Sequence, residues 1–99
     1  MQVIQPYISQ VNKLCESHFV RTLYVFGSAS ADTMTHESDV DLLVDFKNVS
    51  LNDYADNYFD LKFSLENLFN RPVDLLEEKA LHNPYLIKSI NRSKKLVYG

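Results

Sequence analysis

Gly27 and Ser28 end one apolar run, and after ten intervening residues Asp39 and Asp41 open another, Val40-Asp41-Leu42-Leu43-Val44. A glycine–serine turn lets a ligand approach the backbone closely and offers a hydroxyl and amide groups to phosphate oxygens. Two carboxylates spaced by two suit a hard divalent cation, which prefers oxygen ligands. A phosphate cradle facing a metal site is the equipment of a nucleotide-using reaction.

The spacing has a geometric consequence. Alternate side chains of a strand point to opposite faces, so Asp39 and Asp41 share one face about 7 Å apart, followed by Leu43 and Asp45. Val40, Leu42, Val44 and Phe46 form the other, buried side. Like charges on one face repel, so a purely structural strand gains little from the pair. The plainer alternative is a solvated strand end that carries two aspartates.

The first run, Arg21-Thr22-Leu23-Tyr24-Val25-Phe26, is rich in β-branched and aromatic residues and stops at Gly27, as a strand does. Ala29-Ser30-Ala31-Asp32 could then start a short helix, or the whole segment is an ordinary turn. A third carboxylate, Asp74, lies in Arg71-Pro72-Val73-Asp74-Leu75-Leu76, with Val73 and Leu75 on the opposite face. Paired beside Val40–Phe46, it reaches the same open face as Asp39 and Asp41; unpaired, it is a polar residue of an edge strand.

The elements that must hold these residues alternate. Pro6 to about His18 reads as a helix with Tyr7, Val11, Leu14 and Cys15 near one stripe. Strands are expected at Thr22–Phe26, Val40–Phe46, Val73–Leu76 and Lys95-Leu96-Val97-Tyr98. Ser50 is placed to N-cap a long helix, with Asp53 near its positive end. Leu51, Tyr54, Tyr58, Leu61, Leu65 and Leu68 share one helical face, while Phe59 and Phe63 sit at its flank, as a widened core contact or an exposed interface pair. Another helix runs from Pro84 to about Ile90. The long helix between two strands implies that they run parallel. The first two strands must be antiparallel for Gly27-Ser28 and Asp39 to meet at one end. The expected class is α/β, in the α+β sense: a small mixed sheet of three or four strands with helices mainly on one face, in a single domain over residues 1–99.

The ordered set Gly27-Ser28, Asp39-Val40-Asp41-Leu42-Leu43-Val44 and Pro72-Val73-Asp74-Leu75 resembles the minimal nucleotidyltransferases of the DNA polymerase beta superfamily. The likeness spans nearly the whole chain and includes the closing Lys95–Tyr98 segment. It implies the nucleotidyltransferase fold and transfer of a nucleoside monophosphate to a hydroxyl. Asp39 and Asp41 would hold two Mg²⁺ ions on the triphosphate of ATP, and Gly27 and Ser28 would hold its β- and γ-phosphates. Asp74 would ligate the catalytic metal and accept the proton of the attacking hydroxyl. Ser38 would touch the nucleotide or order its own turn. Stand-alone domains of this MntA-like kind are often antitoxins that adenylylate a tyrosine of a helical HEPN-type toxin. The resemblance leaves two alternatives, an inactive partner-binding module and a small-molecule nucleotidyltransferase of the aminoglycoside-modifying kind.

One departure bears on activity. Many relatives carry Arg-Gly where this chain has Ala31-Asp32, which removes a cation near the triphosphate; Lys47 and Arg71 are the candidate replacements.

Composition narrows the partners. With 99 residues, 45 % of them hydrophobic, the chain can build one modest core but no separate acceptor-recognising domain. Another chain, a second copy included, would complete the acceptor site, or the substrate would dock on an open face. A net charge of −3 and a pI near 5.5 argue against direct nucleic-acid binding. Lys88, Arg92, Lys94 and Lys95 read as a solvated face. No apolar run suits a membrane span or signal peptide, and the lone Cys15, expected to pack in its helix, fits a reducing cytoplasm. His18, His36 and His82 have no metal-site spacing; His36 alone is close enough to the motif to touch a nucleotide. Six tyrosines are present, and no feature selects one for self-modification.

Overall fold

The computed structural model describes residues 2–31, 33, 35 and 38–99. His36 and Asp32 lie outside the described residues. A 3₁₀ turn at Gln5–Tyr7 leads into α1 (Ile8–Ser17), then β1 (Val20–Phe26), α2 (Gly27–Ala31) and β2 (Val40–Phe46). The long α3 (Leu51–Phe69), β3 (Val73–Glu77), a 3₁₀ turn (Glu78–Ala80), α4 (Pro84–Ser93) and β4 (Lys95–Tyr98) complete the order.

The sheet order is β3-β2-β1-β4, with β1 antiparallel to both β2 and β4 and β2 parallel to β3. The expected directions therefore hold, and so does a mixed sheet within the expected strand number. Alternation sorts β2 as read: Val40, Leu42, Val44 and Phe46 are buried under α1 and α3, together with Val11, Cys15, Leu61, Leu65 and Phe69. Burial of this set is the main stabilising term of the fold.

The opposite face is not wholly open. Phe26 and Leu43 pack beneath Ile90 of α4, with Tyr24, Leu76 and Leu81 at the margin. Helices thus lie mainly, not solely, on one face. Leu43, expected on the acidic face, is there and buried. The apolar floor ends where the carboxylates begin.

Several local expectations need correction. The first helix is split by the 3₁₀ turn, where Pro6 supplies no N–H, and β1 starts two residues earlier than read, through a register shift between Val20 and Thr22. Helix α4 runs on to Ser93. Ser50 stands at the N-cap of α3, but its hydroxyl donates to Asp53 Oδ2 at 2.8 Å instead of accepting a helix N–H. Leu51 is 94 % exposed because it sits in the first turn, before α3 reaches the core. Phe59 and Phe63, 48 % and 53 % exposed, stack on each other at 6.0 Å, so the widened-core reading fails.

The outer edge of β3 is covered from α3: Glu66 Oε2 accepts the Val73 N–H at 2.9 Å, and the Tyr58 hydroxyl donates to the Leu75 carbonyl. An edge treated this way is a poor template for another strand. Among the described residues, no helix is long and apolar enough to cross a membrane.

Candidate active site

Asp41 and Asp74 are register partners in the parallel pair β2/β3, and Phe26 is the register partner of Asp41 on the other side. Side chains at paired positions share a face, at the strand spacing of about 4.8 Å. The end of β1, the start of β2 and the start of β3 thus converge at one end of the sheet. Asp39 lies just before β2; it and Asp74 are exposed, while Asp41 is half-buried. The structure brings together all three predicted carboxylates and the Gly27-Ser28 turn.

Gly27 has φ +67°, the left-handed region, and a Cβ built on it would lie 2.6 Å from Asp41 Oδ2. Both facts require glycine here, since a side chain would be strained and would collide with the carboxylate. Gly27 starts α2, and its N–H donates to Ser93 Oγ at 3.3 Å. The Ser30 hydroxyl donates to the Ser93 carbonyl, and the Lys95 ammonium donates to the Ser30 carbonyl at 2.8 Å. Lys95 is therefore not simply part of a solvated face, and Lys94 lies 4.6 Å from the centre of the Tyr24 ring. Nothing in the sequence could link Ser93 to Gly27 across so many positions.

Ser38 orders its own turn. Its Oγ accepts the Thr35 N–H at 3.0 Å, and its N–H donates to the Thr35 carbonyl at 3.1 Å. Arg71 Nη1 donates to the carbonyls of Thr35 at 2.7 Å and Ser38 at 3.2 Å, fastening the approach to Asp39. Arg71 is thus a brace on this turn. Lys47 follows the far end of β2, about 20 Å from Asp41 by strand rise, and cannot replace the missing arginine. It lines a cleft of about 220 Å³ with Asp45, Tyr54, Glu77 and Lys79, away from all the candidate residues.

Electrostatics single out Asp41. Burial, then the charge of Asp74, then that of Asp39, push its carboxyl above the ordinary 3.8. A divalent cation would relieve that repulsion, and three carboxylates are the oxygen donors Mg²⁺ or Mn²⁺ prefer, so the donor chemistry fits such an ion. As the side chains stand, no group of three or more His, Cys, Asp or Glu among the described residues encloses an ion. Of the described histidines, His18 bonds Asp60 at 2.5 Å and the Leu14 carbonyl at 2.7 Å, and His82 is exposed. Cys15 is buried, with its thiol pushed up to about 12 by burial and then Glu16, as a packing residue should be.

The mixed sheet thus gathers a left-handed glycine and three carboxylates at one end. Residues 9–99 match the family described as "Polymerase beta, Nucleotidyltransferase". The chain belongs to that family and is a nucleotidyltransferase. It is 34 % identical over 85 residues to "Putative protein adenylyltransferase MJ1379" of Methanocaldococcus jannaschii, covering 86 % of this chain and 82 % of the relative. A solved structure described as a "putative minimal nucleotidyltransferase" superposes with a TM-score of 0.79 at 29 % identity, covering 95 % of this chain and 92 % of the other. The fold is shared, at a TM-score of 0.68 and 22 % identity, with a chain from the complex of a tri-AMPylated Shewanella oneidensis HEPN toxin with MNT antitoxin. That match covers 100 % of this chain and 73 % of the other.

Proposed function

We propose that this nucleotidyltransferase transfers AMP from Mg-ATP to a tyrosine hydroxyl of a partner HEPN-type toxin and so acts as its antitoxin. The observation that carries the reading is the register pairing of Asp41 with Asp74 beside Gly27. The protein-adenylyltransferase name of the Methanocaldococcus relative supports adenylylation, and the AMPylated toxin complex of similar fold supports the partner.

Asp39, Asp41 and Asp74 are the residues that would hold divalent metal, which when bound supplies charge neutralisation and Lewis acidity at the triphosphate. Gly27 keeps the backbone open at α2 so that the β- and γ-phosphates can approach, with the Ser28 hydroxyl as a further donor. The acceptor oxygen attacks the α-phosphorus, the bond to the β-phosphate breaks, and pyrophosphate departs with the bonding electrons. Asp74, exposed at the rim, would take the proton of the attacking hydroxyl. Orientation and electrostatic stabilisation carry most of the rate.

The test is incubation of the protein with α-labelled ATP, Mg²⁺ and a HEPN-type protein encoded beside it. Label on a partner tyrosine, absent with Asp41→Asn, is the expected result. Tight binding of the partner with no label would overturn catalysis. It would favour the second reading, a binding module without turnover, which the uncharged Ala31 supports.

A further inference from the structure

We infer that Ser93 and Lys95, at the junction of α4 and β4, are positioning residues for the phosphate-binding turn. The inference rests on the nucleotide-binding reading above. Helix α2 has only five residues and no cation of its own, so it has little intrinsic stability and must be held from outside. Beside the burial of Ala29, three hydrogen bonds from one short stretch of chain contribute to the hold. Ser93 accepts at both its oxygens, taking the Gly27 N–H on Oγ and the Ser30 hydroxyl on its carbonyl. Lys95 reaches the Ser30 carbonyl at 2.8 Å and caps the negative end of α2.

The junction is itself well anchored. Lys95 pairs with Val25 in the β1/β4 ladder, Ile90 is buried against Phe26 and Leu43, and the Lys94 N–H donates to the Ile90 carbonyl at 2.8 Å. Ser30 is 2 % exposed, so its carbonyl and hydroxyl have few solvent partners to fall back on. Gly27 follows Phe26, which the β1/β2 ladder already pairs with Asp41, so these bonds act on the turn that continues from it, residues 27–31. The last helix and strand therefore brace the phosphate-binding turn beside the carboxylates.

Two measurements on the full chain test this, with Lys95→Met, Ser93→Ala, the conservative Lys95→Arg, and Lys88→Met on exposed α4 surface as the charge control. Amide hydrogen exchange without nucleotide should accelerate over residues 27–31 in Lys95→Met and Ser93→Ala, while α3 stays protected. Calorimetric titration should show Mg-ATP binding weakened roughly tenfold in Lys95→Met, the scale of a lost charge-assisted bond, and by a smaller factor in Ser93→Ala, which loses one neutral bond and keeps its carbonyl, with Mn²⁺ affinity unchanged in both. Lys95→Arg and Lys88→Met should behave as wild type. Unchanged exchange over 27–31, faster exchange with unaltered ATP affinity, or equal loss in Lys88→Met would each overturn the inference. Wild-type protein that binds no ATP would overturn the nucleotide reading instead, and the exchange measurement would still decide whether the clamp exists.

Discussion

Asp41 Oδ2 occupies the space that a side chain at residue 27 would need, 2.6 Å from the Cβ position of Gly27. The turn and the carboxylate are one packed unit, although twelve residues separate them from 28 to 41. Gly27→Ala must therefore push Asp41 aside and also hold a left-handed φ. The strain alone costs about 1–2 kcal/mol. Denaturant unfolding should show that loss, and Mn²⁺ titration should show weakened metal binding because Asp41 has moved.

Asp41 also sets a pH dependence. Its folded carboxyl keeps its proton to higher pH than the ordinary 3.8, because of burial and then Asp74 and Asp39. Between 3.8 and the raised value the folded state binds more protons than the unfolded one, so stability falls as pH rises through that window. Above it the ionised group remains a constant cost. Asp41→Asn removes that cost: thermal melts should show it more stable than wild type at neutral pH, with the gain fading as pH drops through the window. Added Mn²⁺ should raise the wild-type melting temperature, by the equivalent of about 2.7 kcal/mol at a hundred times Kd, and chelation should reverse it. The variant should respond little.

Asp45 shares a strand with Asp41 but has a different task. It is only 14 % exposed and faces Arg21 at 3.3 Å and Lys79 at 3.4 Å. Asp45→Asn should cost about 1–3 kcal/mol in unfolding experiments and leave nucleotide transfer per folded molecule unchanged. Asp39→Asn and Asp74→Asn, each exposed, should cost little stability and slow transfer by about 100-fold or more. A single series of transfer rates, taken well below the melting transition, separates the two classes.

The carboxylates were legible because strand alternation and a parallel pairing leave little freedom. Once β2 and β3 are parallel neighbours with their apolar residues on one side, Asp74 must share the face of Asp39 and Asp41. Gly27 was legible as a turn, but its contact with Asp41 was not, since that depends on how closely β1 and β2 end. The bonds of Ser93 and Lys95 to α2 join positions more than sixty apart, and no local pattern encodes them. Leu51 and Phe59 show the limit of helical periodicity. It gives the angle around an axis but not whether the sheet extends beneath that turn.

Arg71 offers the sharpest check on how Asp39 is placed. Its Nη1 ties together two carbonyls of the turn that runs into Asp39, while the Val40 N–H separately anchors β2 on the Pro72 carbonyl at 3.0 Å. Arg71→Met should therefore leave the sheet intact, with a stability loss of about 1 kcal/mol, but release the Thr35 and Ser38 carbonyls. Metal affinity should fall because Asp39 is no longer held, although Asp41 and Asp74 are unchanged. Mn²⁺ titration beside a thermal melt resolves the two effects, and Arg71→Lys should recover part of the affinity through one remaining bond. Full affinity in Arg71→Met would mean that the Ser38–Thr35 bonds hold Asp39 by themselves.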